Sequence, residues 1–157
     1  MILISSCLAG QQVRYNETHC LNPRLKQLIE QNMALPVCPE LLGGFSIPRE
    51  PAEIVGGDGG DVLDGTAVVK EKSGQIVTDM YIQGAYKTLE MAKQLQVTTV
   101  VLKEYSPSCG SSTIYNGAFS NMKTNGEGVT TTLLRRNGID VMSEYSFMKE
   151  LDRVEDI

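Results

Sequence analysis

The stretch TTVVLKEYSPSCGSS occupies residues 98–112. Its first five residues form an apolar, β-branched run, which predicts a buried strand. Cys109 follows among serine, proline and glycine, on the loop that leaves this strand. Such a loop is a poor element of an apolar core, so the pattern indicates a functional site at the end of the strand.

Two further cysteines stand in the same setting. Cys7 follows the apolar residues 2–4, and Cys38 follows the apolar run 34–37. Three predicted strands therefore each deliver one cysteine at the C-terminal end. If the strands are parallel neighbours, these ends share one edge, where open α/β sheets bind their ligands. We interpret the three cysteines as one joint site, against the alternative that each is a small buried apolar residue.

Helical periodicity separates the predicted strands. Asn22 is the expected N-cap of one helix, with Pro23 in the favoured first position. Thr78 or Asp79 is expected to cap a clearer helix, which leads into the strand at 98–102. The apolar face expected for this helix comprises Ile82, Ala85, Tyr86, Leu89, Ala92 and Leu95.

The alternation of strands and helices predicts an α/β fold. Two more helices are expected over residues 128–137 and about 146–153. The predicted fold is a single domain over residues 1–157, with a parallel or mixed sheet flanked by helices and right-handed crossovers. The strands are expected near residues 1–5, 34–38, 98–103 and 139–142.

The segment 38–65 carries many of the glycines and prolines of the chain. It is too long for a simple connection and predicts a functional loop or lid, with disorder of residues 55–65 as the alternative. Residues 66–70 and 76–77 flank a Ser-Gly turn and are expected to form a hairpin.

The composition argues against several classes of protein. The net charge is −5 and no basic run occurs, so we expect a small-molecule partner rather than duplex nucleic acid. No apolar run reaches the roughly 20 residues that span a bilayer, and no signal peptide is recognisable. We therefore expect no membrane association and a cytoplasmic location, where cysteines are more often catalytic or metal-binding than disulfide-bonded.

Three thiolates suit more than one metal. Zinc takes four ligands, or three and a water at a catalytic site, and His19 is the sole histidine that a Cys₃His site would use. Iron–sulfur clusters are usually held by four thiolates, and three thiolates on a cubane leave one iron open. The spacing of Cys7, Cys38 and Cys109 matches neither a zinc ribbon nor a ferredoxin pattern. Spacing therefore does not choose between the metals.

Polar side chains beside the cysteines are the candidate catalytic groups. Glu40 lies two residues after Cys38, and a carboxylate there is a candidate general acid or base. The alternative is that Glu40 caps a turn or faces solvent. Ser106 and Ser108 flank a proline and are candidates for substrate binding or proton relay, against the alternative of local hydrogen bonds that cap the loop.

Two arginines lie beside the cysteine-bearing loops. Arg14 and Arg49 are candidates to bind an anionic group of a substrate or to pair with Glu53. The alternative for each is a surface salt bridge that contributes little.

Taken together, these residues resemble the thiouracil desulfidase family, which was long listed as a bacterial domain of unknown function. The resemblance covers nearly the whole chain and depends on three motifs in the right order. They are SSCLAG at 5–10 with Arg14-Tyr15, CPELLGGFSIPR at 38–49 with Glu53-Ile54, and Leu102-Lys103 followed by SPSCG at 106–110. After Arg14-Tyr15 the family usually has Asp-Gly where this chain has Asn-Glu, and Cys20 and His19 are additions without an assigned role.

The resemblance implies a [4Fe–4S] cluster held by Cys7, Cys38 and Cys109, with the fourth iron left for the sulfur of the substrate. It also implies removal of sulfur from a thiolated pyrimidine such as thiouracil, with Glu40 and Ser106 in catalysis. A non-catalytic metal or iron–sulfur binding module is the alternative from another class, and a zinc-dependent hydrolase is the third.

Replacement of Cys20 tests whether the cluster keeps one iron without a protein ligand. Cys20 directly precedes the predicted helix start and is expected to pack there, so Cys20→Ser, prepared without oxygen, should keep both the cluster and desulfidase activity. Cys109→Ser should lose both. Absorbance near 400 nm, iron content and turnover provide the measurement. Loss of the cluster in Cys20→Ser would show a fourth protein ligand and contradict an open iron.

Overall fold

The structure, a computed structural model, describes residues 1–11 and 21–155. Within these ranges the strands are β1 (Ile2–Ser5), β2 (Ala34–Val37), β3 (Ala52–Val55), β4 (Val68–Glu71), β5 (Thr99–Leu102), β6 (Thr113–Tyr115), β7 (Lys123–Asn125) and β8 (Asp140–Ser143). The helices are α1 (Pro23–Glu30), α2 (Pro39–Leu42), α3 (Gly59–Leu63), α4 (Thr78–Gln94), α5 (Val129–Arg136) and α6 (Glu144–Glu155), with a 3₁₀ turn at Ser6–Ala9.

A parallel sheet of four strands, in the order β2-β1-β5-β8, forms the centre of the fold. β1 pairs in parallel with both β2 and β5, and β5 pairs in parallel with β8. The predicted α/β fold and its four strands are confirmed. That residues 1–157 form a single domain remains a prediction.

The two faces of the sheet pack into separate apolar cores, because successive side chains of a strand point to opposite faces. Leu3 and Val100 belong to the larger core, on the side of α4 and α5. Ile4 and Val101 belong to the smaller core together with Leu25 of α1. Burial on both faces explains why these strands are apolar runs rather than alternating patterns.

A side-chain cap marks the start of α1, whereas α4 starts without one. Asn22 caps α1 as predicted, since its side-chain oxygen accepts hydrogen bonds from the backbone of Arg24 and Leu25. The predicted cap of α4 is wrong by one residue, because Val77 occupies the N-cap. The hydroxyl of Thr78 instead accepts a hydrogen bond from the backbone N–H of Val69 in β4, at 3.0 Å.

The predicted buried face of α4 is partly wrong. Ala85, Leu89 and Ala92 are buried, as expected, whereas Tyr86 is 55% exposed and Leu95 is 38% exposed. The buried face also includes Tyr81, Gly84 and Thr88, which share one side of the helix at spacings of three and four residues. This side is rotated away from Tyr86.

The segment 38–65 contains regular structure, which the sequence analysis did not predict. It holds α2, β3 and α3, and α3 begins with a capping box formed by Asp58 and Asp61. The disorder considered for 55–65 is therefore not what the structure shows. The predicted hairpin is reduced to one bridge between Lys70 and Ile76, because the main partner of β4 is the antiparallel strand β3.

None of the helices within residues 1–11 and 21–155 combines the length and the apolar character that crossing a bilayer requires.

Helix α2 packs backbone against backbone on α4. A Cβ atom added at Gly84 would lie 2.1 Å from the carbonyl oxygen of Pro39, and one added at Gly43 would lie 2.2 Å from that of Met80. Two glycines thus allow the short helix after Cys38 to lie directly on the long helix. The position of this cysteine-bearing segment is therefore fixed by close packing.

Substitution of Gly84 tests this contact. Alanine normally stabilises a helix relative to glycine, but at Gly84 its methyl group must displace the backbone of α2. We expect Gly84→Ala to lower the free energy of unfolding by about 1–3 kcal/mol, measured by urea denaturation. Gln83→Ala, at the exposed neighbouring position, is the control. A more stable Gly84→Ala variant would contradict the close approach.

Candidate active site

A cavity of about 340 Å³ opens at the C-terminal edge of the central sheet. Cys7 reaches it from the 3₁₀ turn after β1, Cys38 from the residue after β2, and Cys109 from the loop after β5. The parallel pairing of β1 with both neighbours brings these three strand ends side by side. Residues that are 31 and 71 positions apart in the sequence therefore line one space.

The loop that carries Cys109 is fastened to the N-terminus of α5. The first backbone N–H groups of a helix lack partners within the helix, and here carbonyls of the loop accept them. Val129 donates to Pro107 at 2.8 Å, and Thr130 donates to Ser108 at 2.9 Å. The helix and the loop thus satisfy each other's backbone groups.

Gly128, at the N-cap of α5, makes this attachment possible. A Cβ atom there would lie 2.4 Å from the carbonyl carbon of Ser108 and 2.7 Å from the nitrogen of Cys109. The hydroxyl of Thr131 also donates to the carbonyl of Cys109, at 3.1 Å. The backbone around Cys109 is therefore held from several directions, which fixes where its sulfur enters the cavity.

The Cys109 thiol is surrounded by both apolar and polar groups. Burial raises the pKa of this thiol well above its ordinary value, and the charges of Glu40 and Cys38 add to the rise. Hydrogen bonds from Ser106 and Ser108 act in the opposite direction. The Ser106 hydroxyl also accepts a hydrogen bond from the Cys109 backbone N–H, at 2.7 Å.

Cys38 has a similar environment at the N-cap of α2. Burial raises the pKa of its thiol, the charge of Glu40 raises it further, and Arg49 lowers it. Thiols with raised pKa values are protonated at neutral pH, and a metal must displace these protons when it binds. A metal held by these thiols would therefore bind more tightly as the pH rises.

Glu40 and Arg49 form a buried ion pair in the cavity wall. Nε and Nη2 of Arg49 donate to Oε2 of Glu40 at 2.9 and 2.6 Å, and the two side chains are 7% and 13% exposed. Pairing with Glu53 was one alternative for Arg49, and the structure shows Glu40 in that place. Glu53 accepts instead from the backbone of Gly117 and Phe119.

The remaining candidate residues fall in three places. Ser106 lines the cavity beside the thiols. Ser108 is 1% exposed, and its hydroxyl lies 2.7 Å from that of Thr130, behind the cavity wall. Arg14 lies outside the described residues, as do His19 and Cys20. The catalytic role of Glu40 and Ser106, and substrate binding by Arg14, Arg49 and Ser108, remain predictions.

Among the described residues, the thiols do not form a preformed site for a single metal ion. Among residues 1–11 and 21–155, no three His, Cys, Asp or Glu side chains are placed to hold one metal ion. Around one zinc ion, with bonds of about 2.3 Å, sulfur atoms must be nearly in contact. In a cubane each thiolate binds a different iron, so the sulfurs stand further apart.

The sequence and the fold were compared with known proteins. Residues 2–146 match the family model described as 2-thiouracil desulfurase. The chain belongs to the 2-thiouracil desulfurase family. It is 54% identical to the uncharacterized protein YbbK of Bacillus subtilis over 144 residues, which cover 92% of this chain and 95% of YbbK. The predicted family is therefore confirmed.

The fold is also similar to that of a solved desulfidase structure. The [4Fe-4S]-dependent thiouracil desulfidase TudS superposes with a TM-score of 0.84 at 38% identity, covering 99% of this chain and 98% of TudS. The prediction that the chain is a desulfidase is confirmed by this likeness and by the family.

Glu104 is a residue of this desulfurase site that the sequence analysis missed. It lines the cavity, is only 6% exposed, and accepts hydrogen bonds from the backbone N–H and the hydroxyl of Ser111, both at 2.6 Å. Weaker bonds come from the backbone of Tyr105, Ser112 and Thr113. One carboxylate thus closes the loop around Cys109 from both ends. A charged residue two positions after a buried strand was the signal that could have found it.

The pKa of Glu104 leads to a prediction about acid stability. Burial by itself raises this pKa, but hydrogen bonds from Ser111, Ser112 and Thr113 outweigh burial and hold it below its ordinary value of 4.5. A lowered pKa contributes stability that is present above the unfolded pKa and is lost as the pH falls through the folded value. Glu104→Gln should therefore be about 1.5–3 kcal/mol less stable than the native chain at pH 7.

The difference should shrink as the pH falls below about 4.5. Urea unfolding of the metal-free protein over a series of pH values measures it. Glu150→Gln, on the exposed side of α6, is the control. A difference between Glu104→Gln and the native chain that is independent of pH would show that the charge of Glu104 does not hold the loop.

Proposed function

We propose that this protein is a [4Fe–4S]-dependent desulfidase that removes sulfur from a thiolated pyrimidine such as thiouracil. The observation that carries the proposal is the convergence of Cys7, Cys38 and Cys109 on one cavity that also contains the Glu40–Arg49 pair. The likeness to TudS, described as a [4Fe-4S]-dependent thiouracil desulfidase, supports it over nearly the whole chain.

Cys7, Cys38 and Cys109 are the residues that would hold the cluster. Three thiolates leave one iron of a cubane without a protein ligand. When bound, the cluster would supply a thiophilic Lewis acid for the sulfur of the substrate. The overall reaction exchanges the thiocarbonyl sulfur for the oxygen of water, and the sulfur leaves as hydrosulfide.

Glu40 is the group that we assign as general base. Its carboxylate accepts a proton from the water that attacks the thiocarbonyl carbon, and Oε1 is the oxygen that we assign to this water. Arg49 holds the other oxygen, Oε2, and so fixes the orientation of the carboxylate. Ser106 lines the same cavity and is the group that we assign to relay a proton to the product.

The size and the lining of the cavity suit a small planar ring with polar edges. A volume of about 340 Å³ lies in the range of small-molecule sites. Arg49 lines the cavity and provides a cation for the polar edge of the substrate. Substrate binding by Arg14 stays a prediction, and Ser108, behind the cavity wall, is not placed to contact the ring directly. We place the reaction in the cytoplasm, with no duplex nucleic acid as a partner, on the charge and the cysteine usage of the chain.

The decisive experiment is reconstitution without oxygen, followed by a turnover assay. Iron and sulfide analysis should give one cluster per chain, and the loaded protein should convert thiouracil to uracil and hydrosulfide. A cluster without turnover would favour the non-catalytic binding module. Zinc in place of iron in the protein isolated without oxygen would favour the hydrolase.

Substitution of Glu40 tests its assignment as general base. Glu40→Gln should keep the cluster, because Glu40 is not one of the proposed cluster ligands. It should lower kcat by about 10²–10⁴-fold, because the general base is lost. Absorbance near 400 nm controls for loading, and Glu90→Gln on the exposed face of α4 controls for charge. Unchanged turnover in Glu40→Gln would remove this residue from the mechanism.

A further inference from the structure

The loop between β6 and β7 holds an aromatic residue in an unusual backbone conformation. Phe119 has φ of +53°, in the left-handed region that bulky side chains rarely adopt. Such a conformation persists only where the surrounding structure imposes it, and such residues cluster at ligand sites. Phe119 lines the cavity that contains the three cysteines.

A buried carboxylate imposes this conformation. Oε1 of Glu53 accepts hydrogen bonds from the backbone N–H groups of Gly117, at 2.9 Å, and Phe119, at 3.2 Å. Glu53 belongs to β3 and is 9% exposed. Gly117 has φ of +90°, and a Cβ atom there would lie 2.5 Å from the carbonyl oxygen of Ile54. The loop therefore contacts β3 at two adjacent residues of the strand, Glu53 and Ile54.

The ring of Phe119 has no role in the described cores. Within residues 1–11 and 21–155, neither apolar core nor the partly buried residues packed against them include it. The ring contacts found in the same ranges are Phe45 with Tyr81 and Tyr105 with Tyr145. A half-buried phenyl group that stabilises no core, yet is fixed at a cavity wall, has a ligand as its natural partner.

Tyr105 provides an informative comparison. It also lines the cavity with a left-handed backbone, at φ of +82°. Its ring, however, already has partners, because Nζ of Lys123 lies 3.9 Å and Nζ of Lys103 lies 5.1 Å from the ring centroid. Phe119 is therefore the better candidate for an aromatic contact with a substrate.

We propose that Phe119 is the stacking surface for the planar ring of the substrate, and that Glu53 is the positioning residue that holds it there. This inference rests on the proposed function, since a thiolated pyrimidine is planar and has two π-faces. Stacking is independent of whether the ring carries sulfur or oxygen, so substrate and product should both depend on Phe119. The ring contributes to binding of the base, whereas Glu40 acts on the bond that breaks.

The test compares Phe119→Leu with Phe119→Tyr in the reconstituted enzyme. Leucine keeps apolar volume but removes the π-face, so KM for thiouracil and Kd for uracil should both rise by about tenfold, with kcat within about twofold. Tyrosine keeps the ring and should restore both constants to within about twofold. Tyr86→Leu, which removes an exposed aromatic ring from α4, is the matched control.

The positioning role of Glu53 is tested by KM for thiouracil and Kd for uracil. Glu53→Leu removes the acceptor and should reproduce the rise in KM, whereas Glu53→Gln retains an oxygen that accepts both N–H groups and should rescue it. If Glu53→Leu does not fold, the two Phe119 variants decide alone. Phe119→Leu with the constants of Tyr86→Leu would overturn the inference.

Calorimetry with uracil separates this inference from the proposed function. A native protein that binds uracil, with weaker binding by Phe119→Leu, supports the stacking surface even if thiouracil is not turned over. Turnover of thiouracil with constants unaffected by Phe119→Leu overturns the stacking surface alone. A native protein that binds neither uracil nor thiouracil overturns both.

Discussion

The parallel pairing of β1 with β2 and with β5 is the constraint on which the site depends. Each strand brings its C-terminal end, and therefore its cysteine, to the same edge of the sheet. Parallel strands cannot be joined by a tight turn, so helices must connect them and cover both faces. The helical connections thus bury both faces of the sheet but leave its C-terminal edge open. Polar groups can lie at this edge, outside the two apolar cores.

Glycines and buried carboxylates convert this edge into a defined cavity. Gly84 and Gly128 let backbone segments lie directly against each other, which positions the peptides around Cys38 and Cys109. Glu53 and Glu104 then accept backbone N–H groups of two loops that lack regular structure of their own. The two loops are therefore held by hydrogen bonds to buried carboxylates.

Much of this arrangement was predictable from local sequence, and the rest was not. Apolar runs and the Asn22 cap depend on residues that are close in the sequence, so the strands of the central sheet and α1 were predicted correctly. The partners of Glu53 and Glu104 depend on loops that fold back from 7 to 66 positions away, and composition does not reveal such pairings. Tyr86 was misplaced because three- and four-residue spacing fits two adjacent faces of α4, and only packing against α2 and α5 selects one.

The wide separation of the cysteines in the chain sets the order of biosynthetic events. Cys7 leaves the ribosome before Cys38 and Cys109, but β5 must pair with β1 before Cys109 can join it, and α5 must form before the Cys109 loop is capped. Residues up to about 136 are therefore required before the cavity exists. Until α5 has formed, a nascent chain presents only separate thiols.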